Sequence, residues 1–317
     1  MSKKQISVLA PATTANLGPG FDCLGMALDI WNRLDVFVDD VPHASSAGVD
    51  VDQEARQMPQ VEVLGEGAGE LSTGRDNLVY RAMEFLFNEA DEQMPPVRLR
   101  CHNEIPLKRG LGSSAAAITG GLVAANALCS TTFSTNDLLE MAVTIEIHPD
   151  NVAAAVFGGL QLVVSDGPRI VTAPISVPPE IHAVLFIPEL GISTSDARDV
   201  LPLIVSLEDA VYNMSRASLL VLAMAANHPE YLREATRDRL HQPYRQTLFP
   251  AMKLLFQAAL DAGALGVFLS GSGSTVLALT KGREMTVAYE MAEAAKQMGV
   301  EGQVKITRPS LQGGHVI

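Results

Sequence analysis

Between Arg109 and Asp137 lie 27 residues without a formal charge, and they read GLGSSAAAITGGLVAANALCSTTFSTN. A run of that length exceeds the ~20 apolar residues that cross a bilayer, so it forces a choice between a membrane span and an interior helix. Its composition favours the interior. Gly, Ala, Ser, Thr and Asn dominate, Gly120 and Gly121 stand at its centre, and few side chains are bulky. Small side chains let neighbouring elements approach closely, so the run predicts a closely packed buried helix over Gly112 to Cys129.

The rest of the chain has material for more than that helix. With 317 residues, 47% of them hydrophobic, it exceeds what one core usually organises, and two domains are expected. The turn-rich passage Ser165 to Pro179 is the natural boundary, dividing the chain into 1–168 and 169–317, although a strand could cross within it. A formal net charge of −13 argues against a nucleic acid or an anionic membrane as a partner held by bulk charge, so any anionic ligand needs a local binding arrangement. Cys23, Cys101 and Cys129 are widely spaced and odd in number, which suggests neither a disulfide framework nor a thiolate zinc site. The opening MSKKQISVLAP lacks the apolar core of a signal peptide, and a reducing cytoplasm is the expected location.

Apolar runs alternate with helical patterns along most of the sequence. Strands are expected at Gln5 to Ala10, Ile30 to Val38, Val61 to Leu64, Val97 to Cys101, Gly159 to Ser165, His182 to Ile187, Gly266 to Leu269, Thr275 to Leu279 and Gln303 to Thr307. Helices are expected at Asn77 to Ala90, Thr135 to Ile145, Pro149 to Phe157, Leu207 to Asn227, Pro229 to Arg239, Pro250 to Ala262 and Glu284 to Met298, besides the run above. Ser134 and Ser206 stand where N-caps belong. The mixture indicates an α+β or α/β protein, and Asp39 to Pro59 reads as a surface excursion.

Certain short stretches carry chemistry. In PLKRGLGSSAAA, a strand end feeds a loop at Gly110 to Ser114 and then a helix, whose first turn leaves N–H groups unpaired. An anion there gains about 0.3–1 kcal/mol when exposed and up to about 2 kcal/mol when partly buried. The P-loop lysine is absent, and Ser113 also fits an ordinary cap. PATTANLGPGFD reads as a rigid polar loop, in which Asn16 and Asp22 either meet a polar ligand or cap turns. In EIHPDNVAAAVFGG, Glu146, His148 and Asp150 do not match a zinc spacing; magnesium held by one carboxylate and phosphates is easier, and Asp150 also fits a helix cap. LSGSGSTVLAL reads as a hairpin or as a turn closely approached by a ligand or another loop.

These stretches occur together and in one order, and so resemble the GHMP small-molecule kinases, specifically their homoserine kinase branch, over nearly the whole chain. The GLGSSA core marks the superfamily, whereas ANLGPGFD and HPDNVA mark the branch. The resemblance implies a ribosomal-protein-S5-like N-terminal domain, a ferredoxin-like C-terminal domain, ATP between them and a homodimer. It implies phosphorylation of the L-homoserine hydroxyl, a step of threonine biosynthesis. Pro106, Lys108, Arg109, Gly110, Leu111, Gly112, Ser113 and Ser114 would then surround the ATP phosphates, with Asn77 near the adenine and Ser114 and Glu146 on Mg2+. Asn16 and Asp22 would meet the amino group of homoserine, and Arg198 and Arg245 its carboxylate. His148, Asp150 and Asn151 would surround the hydroxyl, with Asp150 as the candidate base. Two departures fall near this site: Ser274 replaces a common proline and Thr14 a common serine. Other GHMP substrates and a catalytically silent nucleotide-binding protein are the rivals; a dinucleotide oxidoreductase is disfavoured because GLGSS lacks the spaced third glycine.

Overall fold

The computed structural model describes residues 5–38, 60–146, 148–166 and 169–317. The excursion expected at Asp39 to Pro59 lies outside them. The chain begins with two long antiparallel strands, β1 (Gln5–Asn16) and β2 (Gly20–Val38), joined by a tight turn. β3 (Gln60–Gly65) lies parallel to β4 (Val97–Asn103), and β4 extends the sheet from β2. β5 (Leu160–Asp166) also pairs with β2, and β6 (Arg169–Ile175) pairs back onto β5. Pairing therefore carries this sheet past residue 168, to Ile175. β6 is a strand crossing the turn-rich boundary passage, and its Pro174 is tolerated because the strand lies at the sheet edge.

Four helices pack on this sheet: α1 (Leu78–Glu89), α2 (Ser113–Leu128), α3 (Thr135–Ile145) and α4 (Pro149–Phe157). The uncharged run is indeed an interior helix. From Ala115 to Ala125 most of α2 is buried, and a Cβ on Gly121 would overlap the Val79 carbonyl of α1. Glycine at this position is what allows the two helices to cross so closely. Ser134 caps α3 in a reciprocal capping box with Asp137, as the sequence signal predicts.

The second sheet is built from β7 (His182–Pro188), β8 (Gly266–Leu269), β9 (Val276–Thr280) and β10 (Gly302–Thr307), in the order β10-β7-β9-β8 and wholly antiparallel. Between β7 and β8 run α5 (Thr194–Asp199), α6 (Leu207–Ala225), α7 (Leu232–Ala235), α8 (Gln242–Arg245) and α9 (Met252–Asp261). α10 (Glu284–Gln297) connects β9 to β10, which gives the split βαβ order of a ferredoxin-like unit. β11 (His315–Val316) then returns to β1.

The long helix expected at Pro229 to Arg239 is broken. A 3-10 turn at Pro229–Tyr231 leads into the single turn of α7, after which the Asp238 carboxylate takes the N–H groups of Leu240, His241 and Gln242. Those bonds start α8 in place of continuing α7. The two sheets share a core: Ala10, Leu24, Met26 and Leu28 of the first sheet pack with Leu185, Phe268, Leu277 and Leu279 of the second. The outer ends of β1 and β2, with Ile6, Val8, Leu34 and Val36, pack under the helices instead.

Candidate active site

Where the sheets meet, a cavity of about 530 Å³ opens, and every candidate residue named from the sequence lines it. The loop Gly110 to Ser114 forms one wall. Gly112 is the N-cap of α2, with φ +66° and no side-chain cap, so Ser113 is the first helical residue and does not cap the helix. The first-turn N–H groups from Ser113 onward have no intrahelical acceptor, and the helix dipole adds positive potential at the same place. A Cβ on Gly112 would overlap the Thr13 hydroxyl, so the loop is held against the end of β1. Its other flank is the glycine turn between β8 and β9. Ser270 Oγ donates to the Gly110 carbonyl at 2.6 Å, and Thr275 N–H to the Arg109 carbonyl at 3.2 Å. The LSGSGS segment is thus both a hairpin and the close neighbour of another loop.

PATTANLGPGFD is not a loop along its length; all but its tip belongs to β1 and β2. Asn16, at φ +68°, accepts from the Asp22 N–H at 3.0 Å and donates to the Gly271 carbonyl at 2.9 Å, binding the hairpin tip to the glycine turn. The departing residues sit in the same contacts: the Thr14 hydroxyl lies 2.8 Å from Ser270 Oγ and donates to it, since the Ser270 proton goes to the Gly110 carbonyl, and Ser274 donates to the Leu190 carbonyl.

The charged wall is a chain of side chains from three parts of the fold. Arg198 of α5 holds both Asp22 oxygens through Nη2 at 2.8 and 3.0 Å and donates from Nε to His148 Nε2 at 2.9 Å. Because that ring nitrogen accepts, the proton lies on Nδ1, 3.0 Å from Glu146 Oε1. Asp150, in the first turn of α4, is buried at 1% exposure and accepts from the Asn151 N–H at 2.8 Å. Burial, then the nearby Asp22 carboxylate, push its pKa up to about 6, against the opposing Asn151 N–H and His148. Asn151 accepts from the Thr13 hydroxyl at 2.9 Å, so this acid end is tied to the same β1 position that meets Gly112.

Other candidates line the cavity while bonding mainly to protein. Asn77 caps α1 through Val79 N–H and donates to the Ser72 carbonyl. It stands among an apolar lining that includes Val63, Leu71, Leu78 and Leu107, suited to a flat base. Lys108 pairs with exposed Glu70 at 2.9 Å, and Arg109 spends its guanidinium on the carbonyls of Leu107, Pro188 and Glu189, tying the loop to the end of β7. Pro106 and Leu111 complete the wall. Sequence reasoning missed Phe21, whose ring lies under both Arg198 and Arg245, and His241, which holds Arg245; the spacing of His241 and Arg245 in HQPYR was the available signal.

The family model of the GHMP kinases N terminal domain matches residues 77–159, and that of GHMP kinases C terminal matches residues 219–300. The chain is 42% identical over 310 residues to the homoserine kinase of Moorella thermoacetica, covering 98% of this chain and 99% of that one. It is 41% identical to the homoserine kinase of Synechocystis sp., covering 94% and 93%. The crystal structure of homoserine kinase from Cytophaga hutchinsonii superposes with a TM-score of 0.88 at 28% identity, covering 100% of this chain and 98% of that one. With both halves of the fold matched, and relatives aligned over nearly its full length, the chain belongs to the GHMP kinases.

Proposed function

We propose that the protein transfers the γ-phosphoryl group of ATP to the side-chain hydroxyl of L-homoserine, giving O-phospho-L-homoserine and ADP. The observation that carries this reading is one cavity that joins an anion-receiving helix N-terminus to a wall bearing both signs of charge. A zwitterionic substrate with a terminal hydroxyl matches that combination. Asp22 receives the ammonium, with Asn16 holding the Asp22 backbone; Arg198 and Arg245 receive the carboxylate. The hydroxyl then lies by His148, Asp150 and Asn151, toward the loop that receives the phosphates.

Among the described residues no group of three or more His, Cys, Asp or Glu side chains is arranged to hold a metal. The Ser114 hydroxyl and Glu146 carboxylate line the same cavity, and one carboxylate with a hydroxyl is the oxygen set that suits Mg2+ completed by phosphates and water. Bound there, the ion neutralises phosphate charge. The protein contributes alignment and its helix N-terminus, as a loose phosphoryl-transfer transition state demands. Asp150 takes the hydroxyl proton.

The test is ADP release with mass detection of product, using ATP, Mg2+ and a panel of L-homoserine, L-serine, L-threonine, mevalonate and galactose. Homoserine-selective turnover to O-phosphohomoserine is the expected result. Selective turnover of another alcohol, or ATP binding without turnover of any member, overturns the substrate assignment.

A further inference from the structure

Arg245 is an unusual cation. It is 2% exposed, and no carboxylate of the described residues forms an ion pair with it. Its Nε donates to the Ala197 carbonyl of α5 at 3.1 Å. Both Nη1 bonds go to neutral acceptors, the Gly271 carbonyl at 2.9 Å and His241 Nδ1 at 3.1 Å. Nη2 has no acceptor among the described residues, and Arg245 lines the cavity. Burial, then the neighbouring Arg198 charge, pull its pKa down to about 10. A buried charge left this way calls for an anion from outside the protein.

His241 has the complementary arrangement. It is fully buried, and its Nε2 lies 2.7 Å from the Gly18 carbonyl at the tip of the β1–β2 hairpin. A carbonyl can only accept, so the proton is on Nε2, and Nδ1 is left to accept from Arg245. Burial pulls the pKa of His241 down to about 4, against the raising effect of Asp238, so the ring stays neutral where a kinase works. Asp238 bonds the N–H groups of His241 and Gln242, which fixes the start of α8 and hence the spacing of His241 and Arg245. The Phe21 ring packs 5.3 Å from His241 and lies under both arginines.

From this network we infer that His241 is a positioning residue for substrate carboxylate recognition: it anchors the Arg245 guanidinium by one N–H edge, so that Nη2 faces the cavity. The inference rests on the reading that Arg245 binds the homoserine carboxylate. His241 acts through Arg245, which in turn holds the Ala197 carbonyl next to Arg198. The hairpin tip, α5 and the glycine turn are thereby referred to one buried ring. A protonated ring would lose its acceptor and add a third positive charge beside the arginines.

The test compares His241→Phe and His241→Asn, in the full chain, by steady-state kinetics with ATP and L-homoserine and by thermal unfolding. Phe keeps the ring shape and removes the acceptor; Asn replaces Nδ1 with an amide oxygen. A hydrogen bond to a charged group corresponds to about a 10- to 100-fold effect. The expected result for His241→Phe is a homoserine KM raised by about that factor, with kcat and the ATP KM changed less than about threefold, and substantial recovery in His241→Asn. In an Arg245→Ala background, His241→Phe should add little further, because both changes remove one interaction. Equal loss on both substrates, no rescue by Asn, or full additivity with Arg245→Ala overturns the inference. If Arg245→Ala itself leaves the homoserine KM unchanged, it is the reading of Arg245 that fails. Should His241→Phe not fold, His241→Asn against Arg245→Ala still decides through the KM split.

Discussion

Asp150 shows how a single residue can be costly to the fold and useful to the site. Its carboxyl is held in the folded protein with a pKa near 6, against an ordinary 3.8. Between those values the folded protein keeps the proton and the unfolded chain has lost it, so stability falls as the pH rises through that window. The full difference corresponds to about 3 kcal/mol above it. Asp150→Asn should therefore raise the melting temperature near pH 8 and do so progressively less toward pH 4, as scanning calorimetry across pH can read. The same substitution should lower kcat by about 10²- to 10⁴-fold and remove an acid limb near pH 6 from the rate profile. A loss below about tenfold assigns Asp150 to orientation. Asn16, by contrast, spends hydrogen bonds on the Asp22 N–H and the Gly271 carbonyl, which shape the hairpin that carries Asp22.

At the scale of elements, α2 is the piece on which the Gly110 to Ser114 wall of the cavity depends. Its N-terminus meets the cavity through a left-handed glycine, and its body admits α1 through Gly121. Gly112→Ala puts a Cβ where the Thr13 hydroxyl sits and imposes a backbone conformation that costs a side-chain-bearing residue about 1–2 kcal/mol. Thr13 would have to move, and Thr13 holds Asn151 beside Asp150. Gly112→Ala should weaken ATP binding by at least about tenfold in isothermal titration, while lowering overall stability only by about that strain. Arg198 belongs to a short helix absent from the expected elements, α5. Six residues offer too little periodicity to be found by pattern, although the Ser193 cap, accepting from Asp196 N–H, was there to be seen.

At the scale of the molecule, the two sheets share an interior besides the apolar cluster that each has of its own: Leu277 and Phe268 of the second pack in one cluster with Leu24 and Met26 of the first. Leu277→Ala should destabilise the protein by about 2–5 kcal/mol and leave one unfolding transition. Two resolved transitions in calorimetry would show that the sheets unfold independently. Most elements were legible in the sequence because their periodicity is local: α3 and α4 begin and end where capping and proline signals place them. The loop-to-helix junction at the cavity was legible for the same reason, since unpaired N–H groups follow from helix geometry alone. What local signals could not convey were contacts made across the chain. The Asp22–Arg198 pair spans 176 residues, and the bond between His241 and the Gly18 carbonyl spans 223. The continuation of β1 and β2 through PATTANLGPGFD is of this kind too, because strand pairing depends on a partner that no short window contains. By itself, then, the sequence determined the fold class, the helix whose N-terminus meets the cavity and the set of residues that line it, all of which depend on short-range pattern and motif. Only the tertiary structure decided which charged groups pair and which nitrogen of His148 and of His241 bears the proton, because these depend on distances between segments far apart in the chain.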